Sequence, residues 1–116
     1  MNNKIDKILA EISAGELFDK ITILEIKKGK ISNKEKLNEI EKELSSLNET
    51  VKKFIPNQSN ISKYINDLKN INLKLWNIED GKRAAEKNKD FDEKFIELAR
   101  NVYKFNDERA KIKLAI

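Results

Sequence analysis

Arg109 is a charged residue standing where an apolar one is expected. It falls within the run Phe95, Leu98, Val102, Phe105, Arg109, Ile112 and Ile116, whose alternating three- and four-residue steps mark the buried face of a helix. Two more polar residues, Asn72 and Glu79, lie near the middle of a second such face, built from Ile61, Tyr64, Leu68, Ile71, Leu75 and Ile78. A guanidinium taken out of water without a partner is strongly unfavourable, so Arg109 calls for a carboxylate or amides around it. Asn72 is one candidate, and Glu16, Asp19 and Glu25 are others. Two uses of such a group compete. Arg109 and Arg100 can act as bidentate donors to a small anion, with Trp76 or Tyr103 as a wall. Alternatively, the polar residues form a closed network that fixes helix register and subunit pairing, and this is the favoured reading because polar seam residues most often serve that end.

The rest of the composition narrows the chemistry. The chain has no Cys and no His, which excludes disulfides, thiol and Ser–His catalysis, and zinc sites built on those residues. An enzyme made from what remains would rest on carboxylates and on Arg or Lys stabilising developing negative charge, with Glu16, Glu79, Arg100 and Arg109 as its candidates. A helical mutase-type bundle is the nearest analogy, but the Arg that such bundles carry on their first helix is missing. Glu39, Glu41 and Glu43 with Lys36 and Lys42 scatter around a helix and read as a solvated face, not a magnesium site. No metal site and no cofactor is expected. The net charge of +4 suggests nucleic acid, through Lys27, Lys28, Lys30, Lys34 and Lys36. That is the weakest reading. Acidic residues follow the basic ones throughout, and abundant Lys, Asn and Ile with scarce Arg is what an AT-rich genome produces.

These residues need long helices to hold them. The chain of 116 residues, with 39% hydrophobic content, three Gly and one Pro, reads as one all-helical domain spanning residues 1–116. Residues 1–12 are ambiguous, with Ile5, Ile8, Leu9 and Ile12 at helical spacing in a short stretch. Ser13 and Glu16 form a capping box, with Ile12 and Leu17 as its hydrophobic staple, and predict a first helix from about Ala14 to Lys30. A second box, Ser32 with Glu35, predicts a helix carrying Leu37, Ile40, Leu44, Leu47, Val51 and Phe54, stopped by Pro56. A third helix starts near Asn60 and fades near Glu86. The fourth is capped by Asp92, with Phe91 and Ile96 placed for a staple.

Short turns force antiparallel neighbours, in which facing residues have a nearly constant index sum. Leu24 then faces Ile40 and Leu17 faces Leu47, while Leu75 faces Phe105, Leu68 faces Ile112, Asn72 faces Arg109 and Glu79 comes within reach of Arg100. Two hairpins in a four-helix bundle-like arrangement follow. The first helix is apolar on most sides, with Phe18, Ile23 and Ile26 flanking the stripe of Leu17, Ile21, Leu24 and Ile31, and a second copy of the chain is the simplest cover for it. A homodimer is therefore expected. No apolar run approaches the roughly 20 residues of a membrane span, and the first residues lack a signal-peptide pattern, so a cytoplasmic location and no membrane insertion are expected.

Three blocks, GELFDKITILEIK (15–27), LWNIED (75–80) and FIELARNVYKFNDERAKIK (95–113), together resemble a small bacterial family of unknown function. Its pattern reads GELxDKITILEIK, then LWxIED, then FIxLARxVYxxND. The resemblance implies an all-helical cytoplasmic protein. By position it marks Glu16, Asp19, Lys20, Thr22, Glu25, Lys27, Asn72, Glu79, Asp80, Arg100, Tyr103, Asn106, Asp107 and Arg109 as the polar motif residues, with Trp76 as the aromatic. It also implies an association with sugar transfer and cell-surface polysaccharide, and a longer tail in relatives than the stop at Ile116. The Lys/Asn-rich linkers depart from the pattern.

The favoured function is a non-catalytic helical interaction module that self-associates and docks an unidentified protein partner. It expects two chains in solution and no ligand-sized pocket at Arg109. The alternative is a small helical enzyme or anion-binding bundle using the Arg and carboxylate residues named above.

Overall fold

A computed structural model describes residues 8–116. It contains α1 (Ala14–Lys30), α2 (Lys34–Phe54), α3 (Ser62–Lys87) and α4 (Glu93–Ala115). The helix starts follow local chemistry. The Ser13 hydroxyl accepts from the Glu16 N–H at 3.1 Å. Its expected reciprocal bond gives way to a tertiary one, because the Glu16 carboxylate pairs with Lys113 at 2.6 Å. The cap of α2 is Asn33 and not Ser32: its Oδ1 accepts from the Glu35 and Lys36 N–H groups at 3.0 and 3.2 Å. Asn is among the best capping residues, and one residue further on it serves the same orphan donors. Asp92 caps α4 as expected, accepting from the Lys94 and Phe95 N–H groups. Phe91 packs edge-to-face on Phe95 at 5.1 Å, while Ile96 stays exposed, so the staple runs through the aromatic pair instead.

The α3–α4 turn carries a residue that sequence periodicity does not single out. Lys89 has φ 52°. The Asp90 N–H bonds the Ala85 carbonyl and the Lys89 N–H bonds that of Glu86, which closes a Schellman motif with lysine in the left-handed position usually held by glycine.

Helix backbones approach closely between α1 and each of the other three helices, and between α3 and α4; α2 approaches neither α3 nor α4. α1 is thus the central helix. Leu17, Phe18, Ile21, Leu24 and Ile26 are all buried within the chain. Ile23 and Ile31 are half-buried, so most of the apolar girdle of α1 is covered without a second copy. The expectation of a dimer drawn from that helix loses its premise, although the oligomeric state itself is a separate question. The residues expected to face one another come into one core: Leu17, Ile21, Leu24, Ile40 and Leu44 share it with Leu68 and Ile71, and Phe105 and Ile112 pack against it. Lys74 lies over the Phe105 ring, and a Cβ on Gly81 would touch Leu98, which confirms the α3–α4 pairing.

The arrangement is open. Its radius of gyration is 16.7 Å, against about 13 Å for a compact domain of this length. The extents are 48 × 45 × 24 Å, and the short axis is about two helix diameters. α1 has 17 residues and α3 has 26, so the α3–α4 hairpin outruns the helix it packs on by about 13 Å. Residues 8–13 have no regular structure and are exposed. The helical spacing that includes Ile5 falls outside the described residues. Among the described residues, no helix is long and apolar enough to cross a membrane.

Candidate functional site

α1 brings one acid into the middle of the molecule. Asp19 is 3% exposed, and Thr22 and Asn72 beside it are as deeply buried. Asp19 lies one turn below Thr22 on the face of α1 turned to α3 and α4, and the Thr22 hydroxyl donates to the Asp19 backbone carbonyl at 2.9 Å. From α3, the Asn72 amide donates to Asp19 Oδ1 and to the Thr22 hydroxyl, both at 2.9 Å. From α4, Arg109 approaches side-on: Nε donates to Oδ1 at 2.9 Å and Nη2 donates to Oδ2. The remaining terminal nitrogen of Arg109, Nη1, donates to Asn106 Oδ1 at 3.3 Å. Lys113, one turn beyond Arg109, stands 3.7 Å from Asp19 Oδ2 and pairs with Glu16.

Burial alone would raise the Asp19 pKa. The bonds from Arg109 and Asn72, with the charges of Arg109 and Lys113, outweigh it and hold the carboxyl below its ordinary value. Arg109 is shifted upward, first by its bond to Asp19. The cluster is therefore a fixed ion pair, not a proton donor poised near neutrality. With two acids against two bases it carries no net charge, and its buried atoms are spoken for.

The same junction explains Gly15. The N-terminal turn of α1 runs so close to α4 that a Cβ on Gly15 would sit inside the Lys113 carbonyl oxygen. Only glycine lets α1 reach the depth at which Asp19 meets Arg109.

Of the residues singled out from sequence, Glu16, Asp19, Thr22, Asn72, Asn106 and Arg109 come together here. Asn72 and Arg109 do face one another, but they meet through Asp19. Glu25 pairs with Lys69 at 3.4 Å on the surface. Asp80 pairs with Arg83, and Glu79 pairs with Lys82 at 3.6 Å, not with Arg100. Lys20, Arg100 and Asp107 are exposed, as is Tyr103 at 59%. Arg100 lies on the outer surface of α4 among Glu93, Ile96 and Lys104, so Arg100 and Tyr103 belong to no clamp with Arg109. Lys113 was the member that sequence reasoning missed. Its signal was its place four residues after Arg109, on the same helical face.

A cleft of about 360 Å³ opens beside the cluster, lined by Ile23, Ile26, Asn72, Leu75, Trp76, Glu79, Arg83, Asn106 and Arg109. It is a ligand-sized recess at Arg109, contrary to what the interaction-module reading expects. It forms where α3 and α4 run on past the middle of α1. Trp76 is its half-buried wall, and the buried indole Nε1–H finds no acceptor among the described residues.

The family model described as "Family of unknown function (DUF6165)" matches residues 8–116, and the chain belongs to that family. No curated protein and no solved structure matches the chain.

Proposed function

We propose that this protein is a non-catalytic helical assembly module that pairs with a second copy of itself and presents the joined surface to a protein partner. The observation that carries this is the state of α4. Among the described residues, none of its 23 positions is buried, although it is an amphipathic helix of full domain length. A helix that completes a closed core buries a stripe. About 120° around the helix from its packed seam, α4 bears a second apolar stripe: Ile96, Ala99, Tyr103, Ala110 and Leu114 fall within a 60° arc at about 100° per residue. Ile96, Tyr103 and Leu114 are 48%, 59% and 89% exposed.

Laid antiparallel on its own copy, this stripe is self-complementary, as a two-fold interface must be. Ile96 meets the second copy's Leu114, Tyr103 lies near the centre, and Arg100 comes beside the second copy's Asp107. Arg100, Tyr103 and Asp107 are motif positions that the Asp19 cluster does not use. The cluster itself supports a structural role, because its charged groups are paired to one another. Placement of the module in the bacterial cytoplasm, alongside enzymes of surface-polysaccharide assembly, rests on the family resemblance read from the sequence.

Light scattering at micromolar concentration tests the reading. It expects twice the 13.5 kDa chain mass, and the single-chain mass for Tyr103→Glu with its helix content intact. A wild-type chain that stays single at that concentration overturns it.

A further inference from the structure

We infer that the cleft between α1, α3 and α4 binds a small organic oxyanion, a phosphate or carboxylate carried on a flat apolar body. This stands apart from self-association, since the cleft takes only Asn106 and Arg109 from α4 and none of the residues of its exposed stripe.

The recess of about 360 Å³ falls within the range of small-molecule sites, roughly 300 to 1,000 Å³. Its walls are apolar where a ligand body would rest, with Ile23 and Leu75 beside the indole of Trp76. Its polar groups are mostly donors. Trp76 Nε1–H has no acceptor among the described residues, and a buried donor without a partner is rare in a folded protein. Asn106 uses its carbonyl oxygen toward Arg109, which leaves its amide N–H groups to spare. Arg109, which lines the cleft, gives Nε and Nη2 to Asp19 and one Nη1 hydrogen to Asn106, which leaves a second Nη1 hydrogen for a ligand. Arg83 completes the set. Its only ion pair among the described residues, to Asp80, has both side chains more than half exposed, and such a pair exchanges readily for a better acceptor. Against these donors stand two acceptors, Asn72 Oδ1 and the Glu79 carboxylate, the latter already paired with Lys82. A site richer in donors than acceptors, with one mobile guanidinium at its mouth and one locked at its base, suits an oxygen-rich anion.

Trp76 is the only tryptophan in the chain, so its fluorescence reports this site alone. The experiment titrates the full-length protein with phenyl phosphate, benzoate and inorganic phosphate, exciting at the red edge of indole absorption. Phenyl phosphate is expected to give a saturable change below about 10 mM. Benzoate separates the two headgroups: whichever aromatic anion binds more tightly identifies the oxyanion. Arg83→Gln, which alters only an exposed pair, should weaken binding roughly tenfold, the worth of one charge-assisted hydrogen bond. Asp80→Asn should tighten it by freeing Arg83. Absence of a saturable change with either aromatic anion overturns the proposal. So does Arg83→Gln binding as wild type, or inorganic phosphate binding as tightly as both aromatic anions, which would remove the role of the apolar wall.

Discussion

Replacing Arg109 by Met tests the central cluster most directly. The change keeps an unbranched apolar stem in place and removes only the charged head. Asp19, at 3% exposure, then keeps the Asn72 amide at 2.9 Å but loses both bonds from the guanidinium. Removing one partner of a buried pair costs about 3 to 5 kcal/mol. Two features place this site at the lower end. The Arg109 side chain is 28% exposed, and Lys113 remains 3.7 Å from Asp19 Oδ2. A loss of about 3 kcal/mol is expected, out of a total of about 5 to 15 kcal/mol for a domain of this kind. Urea unfolding followed by circular dichroism gives the midpoint and slope. The second arm is Asp19→Asn in the Arg109→Met background. It removes the stranded charge, so it should restore about 2 kcal/mol, whereas the same change in wild type destabilises. A cost below about 1 kcal/mol for Arg109→Met, or additivity of the two changes, would refute the claim that this ion pair is buried and coupled.

Three further outcomes follow from the same geometry. Gly15→Ala should destabilise by about 2 kcal/mol, as overpacking does, because the added methyl meets the Lys113 backbone and not a side chain that can turn away; thermal unfolding measures it. Lys89→Gly should stabilise by up to about 1 kcal/mol by removing a side chain from the left-handed position, and an unchanged denaturation midpoint would contradict the Schellman geometry. The Asp19 carboxyl is held below its usual value, so its contribution is present in full above the unfolded-state pKa of about 3.9. That contribution is lost as the pH falls from there through the folded-state value, and a stability-against-pH curve for Asp19→Asn should lack this acid-side loss.

Much of the fold was readable because its signals are local. Capping residues, Pro56 and the three–four apolar rhythm each act within one or two turns, and the lengths of α1 and α4 follow from them. The cap of α2 slipped by one residue because Ser32 and Asn33 are both competent, and only the backbone path out of α1 decides between them. Pairing within each hairpin was readable as well, since a tight turn leaves one register in which apolar residues meet. The packing of one hairpin on the other was not. Nothing local in α2 or α3 says that the backbone of α2 will approach α1 closely and α3 not at all. That result depends on α1 being apolar on three sides and on α3 outrunning it, and a girdle of apolar residues around a helix is equally satisfied by neighbours in its own chain or in another.

The site shows the same division. Arg109 and Asn72 announced themselves as polar residues on apolar stripes, which is a signal carried by a single helix. Asp19 did not stand out in this way, because α1 has no clean polar face against which an intruder shows. Its importance comes from Gly15, whose missing side chain lets α1 sink until a carboxylate one turn further on reaches both α3 and α4. The spacing of four residues from Gly15 to Asp19, matched by four from Arg109 to Lys113, places two close contacts one helical turn apart along a single crossing of α1 and α4. A backbone approach at one turn and an ion pair at the next fix both the distance and the rotation of that crossing. Either alone would leave the helices free to slide or to turn, which is why the glycine and the acid open the first motif together. This also explains why an open assembly whose fourth helix is only partly buried can still hold α4 at one angle to α1, and so keep the cleft at Trp76 clear of the stripe through Tyr103.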